Sequence, residues 1–300
     1  MPKTVNDDYP GNNKPMSDAE LKALATANYQ TKGPNKSDPK DETETSEEIK
    51  AYDFPTEIIE LPSKGKLYPE GHVLSQGTLE MKYMSAKEED ILTNQSFIRQ
   101  GVVLDKLFKS LIVTPVEYND LLLCDKNAIM IAARVLGYGK DYTIKIKSPT
   151  SGEDIEHTVD LSILPERDID WSEHQDGKNE FEFELPASKR KVTLRLLTQR
   201  DSTQMEKEIA SLKKVKKSAG TTTMLKYIIT SLDGDDDKMK IRHFIENGLL
   251  AIDSRGIRQY LKKITPDIDL SVEVYDESTG DSFRSQINVG LDFFWPDLEV

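Results

Sequence analysis

The sequence has one cysteine, Cys124, in 300 residues, and four histidines, His72, His157, His174 and His243. A lone cysteine excludes an intramolecular disulfide. Cys124 stands against an apolar triplet and reads as a small buried hydrophobe. The histidines are scattered, and none has a Cys or His neighbour at metal-ligand spacing, so a tetrahedral site is not expected. Positive charge is also short: 40 Lys and Arg face 53 Asp and Glu, a formal net charge of −13. A phosphate-binding surface needs the opposite balance, which argues against nucleic acid as a partner. No apolar run is long enough to cross a bilayer. The opening MPKTVNDDYP lacks the apolar stretch of a secretory signal, so a cytoplasmic origin is expected. Neither a Gly-rich phosphate loop nor a nucleophile elbow is present.

Several charged runs imitate sites without completing them. Asp233, Asp235 and Asp237 begin like a calcium loop, but the sixth position is Lys238 rather than Gly and the twelfth is Phe244 rather than Glu; an acidic turn between helices accounts for them. Lys213-Lys214-Val215-Lys216-Lys217 ends an expected helix, where positive charge meets the dipole favourably. Glu88, Glu89 and Asp90 lie in an expected first helical turn, which capping explains without catalysis. The sequence predicts no enzyme and no cofactor.

What the chain does have is a repeat. Leu122–Leu161 and Leu250–Val289 run together without a gap, with low identity but a shared pattern. An apolar lead-in reaches Asp125 in one copy and Asp253 in the other. Each Asp is read as the N-cap of a helix, carrying Ile129 and Leu136, or Ile257 and Ile264. Alternating strands follow around Ser151-Gly152 and Thr279-Gly280, the pattern of a β-hairpin. The echo extends upstream. Met81–Glu88 parallels Leu194–Asp201, each a strand running into a Ser or Thr cap with an acid three residues on. Val103–Leu111 parallels Met224–Leu232, and Glu60-Leu61-Pro62-Ser63 parallels Glu184-Leu185-Pro186-Ala187-Ser188. Two unrelated helix-and-hairpin units could resemble one another, but the kept order favours duplication.

The expected organisation is a disordered N-terminal arm (1–53), a first α+β module (54–163), a linker (164–179) and a second α+β module (180–300). The arm is polar and poor in apolar residues, so it cannot offset its ordering entropy. One capping box, Ser17 to Glu20, starts a short amphipathic stretch within it. Helices are expected at Ala86–Gln100, Val102–Leu111, from Thr114, at Gln199–Lys217, Thr222–Leu232, Lys238–Leu250 and Ser254–Ile264. Near the C-terminus Phe293, Phe294 and Trp295 precede Pro296. Three consecutive aromatics need burial, in their own module or in a partner.

Glu60-Leu-Pro-Ser-Lys-Gly65 with Tyr68, Glu80 to Leu92, Asp125 to Arg134 through Gly137-Tyr138-Gly139, and the Phe293–Pro296 ending resemble the small baseplate hub proteins of T-even-type contractile-tailed phages. The resemblance covers about residues 54–300 and implies a structural role at the centre of a tail baseplate, in the virion and, during assembly, in the host cytoplasm. Some members of that family carry a cysteine pair in the first hairpin, suggestive of a metal knuckle; Ser148 and Ser151 stand there in this chain. The expected partners are other hub and tail proteins, with no nucleic acid and no membrane, and a homo-oligomer is left open. Tyr83, Met84, Phe293, Phe294 and Trp295 are the expected partner contacts. The alternatives are an assembly chaperone absent from the mature virion and a hub-associated hydrolase.

Overall fold

The computed structural model describes residues 54–214 and 220–294. The N-terminal arm with its capping box, Val215 to Lys217 of the basic run, and Trp295-Pro296 lie outside the described residues.

Alternation around Ile58-Ile59 and Leu79-Met81 builds β1 (Thr56–Glu60) and β2 (Thr78–Lys82), paired antiparallel with Ile58 opposite Glu80. Their connection is a wound loop closed on itself at Gly65. A Cβ there would fall 2.3 Å from the Ser75 carbonyl oxygen, and the residue has φ +74°, so only glycine fits. Ser85 and Glu88 then form the expected capping box for α1 (Ala86–Thr93). The single helix expected to reach Gln100 is broken. Asn94 turns extended and its side chain accepts the amides of Ser96 and Phe97, starting α2 (Gln95–Gln100). A side chain that caps this well competes with helix continuation. α3 (Val103–Leu111) follows, and Ile112 after it bridges Met81 of β2. The helix expected from Thr114 is only a short 3-10 turn, Tyr118–Asp120. α4 (Lys126–Tyr138) and the hairpin β3 (Asp141–Lys147) with β4 (Asp154–Asp160) complete the first half.

The second half repeats this order. β5 (Phe181–Glu184) pairs with β6 (Lys191–Leu194), α5 (Gln199–Lys214) and α6 (Gly220–Ile228) follow, and β7 (Ile229–Leu232) pairs with β6 through Leu194–Ile229. That last pair corresponds to Met81–Ile112. The helix expected to continue to Leu232 therefore ends at Ile228. The β-branched run Ile228-Ile229-Thr230 suits the pleat better than the helix. The match of Val103 with Met224 is consequently one helical turn out, since Val103 begins α3 as Gly220 begins α6. A four-residue slip leaves the same apolar face inward, so periodicity does not detect it. α7 (Lys238–Asn247), α8 (Ala251–Ile264) and the hairpin β8 (Ser271–Asp276) with β9 (Asp281–Gln286) close the second half.

The fold is α+β, with two similar halves built from helices and small antiparallel sheets. All described residues fall within one compact unit, Asp53–Val300, over a continuous hydrophobic core. α4 is its centre: most of its residues are buried, from Ala128 to Leu136.

Candidate interaction surface

Asp125 and Asp253 do not act as the N-caps the sequence suggests. Asp125 precedes α4 but makes no capping bond, and Asp253 lies within the first turn of α8, after Leu250. Each is fully buried and reaches across the half to the Glu-Leu-Pro loop. Asp125 accepts the Ser63 amide and hydroxyl at 2.9 Å each and the Tyr68 hydroxyl at 2.8 Å. Tyr68 in turn accepts the Leu122 amide at 3.1 Å. Asp253 accepts the Ala187 amide at 2.7 Å and the Ser188 amide at 3.2 Å. Close approach is needed, and Gly256 in α8 supplies it, since a Cβ there would meet Pro186 at 2.9 Å. Burial pushes the Asp125 carboxyl up to about 6, against the pull of bonds from Ser63 and Tyr68. The same burial raises the neighbouring Cys124 thiol, leaving it a packed hydrophobe rather than a nucleophile.

The halves are bound by exchanged tails. The segment after the first hairpin lies on the second half: Arg167 donates to the Asp267 carbonyl at 2.8 Å, and Asp269 donates to that of Pro165 at 2.8 Å. The segment after the second hairpin lies on the first half. Arg134 of α4 donates to the Phe293 carbonyl at 3.2 Å, and Tyr142 meets the Phe293 ring edge-on at 4.8 Å. The hairpin ends also touch, because Ser148 and Ser151 both donate to Asp276, the latter at 2.8 Å. The two serines thus tie the hairpins together. Bonds from Ser148, Ser278 and Ser151 hold the Asp276 carboxyl well below its usual range. A depressed carboxyl contributes stability above its unfolded value, near pH 4, and loses it as pH falls. Replacing both serines with alanine should flatten the acid side of the stability curve by more than the same change at exposed Ser211 and Ser282. Urea midpoints between pH 6 and 3 measure this, and a parallel curve in the double variant would refute the tie.

Of the residues expected to meet partners, Phe293 and Phe294 are buried in this chain's own core, at 0% and 1% exposure. This corrects their reading as outward anchors. Tail exchange gives them a hydrophobic site on α4 and β3. Trp295 lies outside the described residues. Tyr83 and Met84 are half-buried at the corner between β2 and α1. Tyr83 donates to Glu57, and Met84 covers Gly137 of α4.

The remaining acids have local employment. Burial would raise Glu88, but Lys82 at 2.8 Å, Ser110 at 2.7 Å and Ser85 overcome it and hold the carboxyl at about 2. Asp233 pairs with Arg190, Asp235 with Lys240, and Asp237 caps α7 through the Met239 amide. Arg190 and Lys240 line a cleft of about 630 Å³ with Met239, His243 and Phe244, so the charges in that cleft are already paired. Among the described residues no group of three or more His, Cys, Asp or Glu converges as metal ligands, and no helix is long and apolar enough to cross a membrane.

Several large apolar side chains also remain outward, scattered over both halves. Ile58 on β1, Met239 on α7, and Leu250 and Ile252 at the head of α8 are well exposed. Sequence reasoning passed over Leu250 and Ile252, although their first-half counterparts, Leu122 and Cys124, are buried. The signal was available in the ungapped repeat.

A family model described as T4 bacteriophage base plate protein matches residues 54–295. No curated protein and no solved structure matches the chain significantly.

Proposed function

The chain belongs to the T4 bacteriophage base plate protein family, and from that premise we propose that it is a structural component of the baseplate hub, working through protein–protein contacts. The observation that carries this reading is what the buried polar groups do. Asp125, Asp253 and Asp276 tie loops, helices and hairpins of one chain together. Such groups stiffen a scaffold and hold its surfaces in fixed relation. A rigid body with apolar positions in an acidic exterior suits docking among other tail proteins, and no chemical step is assigned to it. Assembly would take place in the host cytoplasm before the particle is complete.

Genetic depletion tests the reading. An infection lacking this chain should accumulate separate tail parts without finished baseplates, seen by electron microscopy of lysates. Supplying the wild-type chain should restore them. Normal baseplates in its absence would overturn the proposal, and cell-wall hydrolysis by the purified protein would replace it with an enzymatic role.

A further inference from the structure

The repeat supplies its own comparison of covered and uncovered surface. Leu121–Cys124 and Leu249–Ile252 are the same apolar segment in the two halves. Leu122 is 2% exposed, whereas Leu250 is 50% and Ile252 is 59% exposed. The corner between β6 and α5 covers the first-half segment. Leu123 donates its amide to the Leu197 carbonyl, and Gln199 donates to that of Leu121, both at 2.8 Å. Leu122 and Thr198 form a β-bridge between them.

That corner has a counterpart too. Thr198 and Asp201 match Ser85 and Glu88: in each pair the later acid accepts the earlier residue's amide and hydroxyl. Met84 and Ala86 therefore correspond to Leu197 and Gln199. The Met84 carbonyl and the Ala86 amide take no hydrogen bond from or to any described residue, and neither do the Leu249 carbonyl and the Ala251 amide. Among the described residues, then, this contact is made once, and one half of it is left open at each end.

We propose that a second copy of this chain places its Met84–Ala86 corner on Leu249–Ile252, repeating between molecules the contact that joins the two halves. The union is head to tail, because the two surfaces differ, so it propagates unless the geometry closes a ring. It rests on the repeat and not on the proposed place in the hub. It should be weaker than the intramolecular contact. The Arg200–Asp120 ion pair at 2.8 Å flanks the covered segment, and Lys87 and Gly248 stand at the matching positions. Two acidic chains also repel, an effect that salt screens.

Two substitutions separate the ends while respecting the helices. Leu250 occupies the N-cap position of α8, where aspartate is favoured. Leu250→Asp puts a charge in the apolar patch without weakening the helix. Ala86 is the first residue of α1, and Ser85 before it is extended at ψ 173°. Both conditions suit proline, so Ala86→Pro removes the amide while keeping the cap. In sedimentation velocity of the full chain, the weight-average coefficient should climb with concentration past the dimer value. Each variant alone should stay monomeric with a wild-type melting curve. Mixed in equal amounts, they should form a dimer and nothing larger, since one complementary pair of ends survives. A wild-type chain that remains monomeric up to about 100 μM, a concentration that would reveal contacts near −5.5 kcal/mol, would overturn the proposal. So would self-association that survives either substitution. Loss of self-association with normal baseplates would leave the hub role standing, and absence from baseplates with intact self-association would do the reverse.

Discussion

Asp125→Ala should be among the most destabilising single changes in this protein, lowering the unfolding free energy by about 2–4 kcal/mol at neutral pH. The carboxylate is the common acceptor for the Ser63 amide, the Ser63 hydroxyl and the Tyr68 hydroxyl. Alanine leaves all three buried donors without it, at about 1–3 kcal/mol each, partly offset because a buried charge is also removed. In a chain of this size the thermal midpoint should fall by roughly 6–10 °C. Tyr68→Phe removes one of the same bonds, so the double variant should be less destabilised than the sum of the singles. Simple additivity would show that Tyr68 and Asp125 do not act together.

The pH dependence follows with its sign. Asp125 has a folded value of about 6, above the usual carboxyl range, so the folded state holds the proton more tightly than the unfolded state. The Asp125 contribution to stability should therefore increase as pH falls from 7 through 6 towards 4. Glu88, held at about 2, acts in the opposite direction and withdraws stability as pH falls below about 4.5. Asp125→Ala should lose the gain that Asp125 brings between pH 7 and 5. Its deficit is then larger at pH 5 than at pH 7. Burial holds the His174 imidazole below its usual range and so withdraws stability over the same interval. The difference between wild type and variant isolates the carboxyl, and urea midpoints showing a deficit that does not grow from pH 7 to 5 would contradict the assignment.

Phe293→Ala should have an effect of similar size, about 3–5 kcal/mol, the usual cost of emptying a buried aromatic site. The ring is fully buried, packs against Tyr142 and Phe294, and belongs to a segment whose carbonyl is held by Arg134. The loss should be felt in the first half. Amide exchange should speed up in α4 and β3 at least as much as in β8 and β9, although Phe293 follows the latter in sequence. Faster exchange confined to the second hairpin would mean that the exchanged tail does not couple the halves.

Much of this frame could be read from the residues, because its signals are local. Both hairpins follow from alternation around Ser151-Gly152 and Thr279-Gly280, and the Ser85–Glu88 capping box from its spacing. The importance of Asp125 and Asp253 was visible, but their role was not. An aspartate before an apolar helix looks the same whether it accepts its own helix's amides or those of a loop 62 residues away. Asn94 hid for a related reason, as one capping side chain inside a helical pattern is weak evidence until the chain turns there. The aromatic ending announced a need for burial without naming the cavity, which the other half provides. The Leu249–Ile252 surface was legible only once the first half showed what such a segment looks like when covered.

A structural component of the hub remains in the finished particle. Quantitative mass spectrometry of gradient-purified particles tests it most directly, comparing this chain with other baseplate proteins in mature virions and in assembly intermediates. A hub component should keep a fixed ratio, unchanged between the two. A chain abundant in intermediates and missing from mature particles would contradict it and identify an assembly chaperone instead.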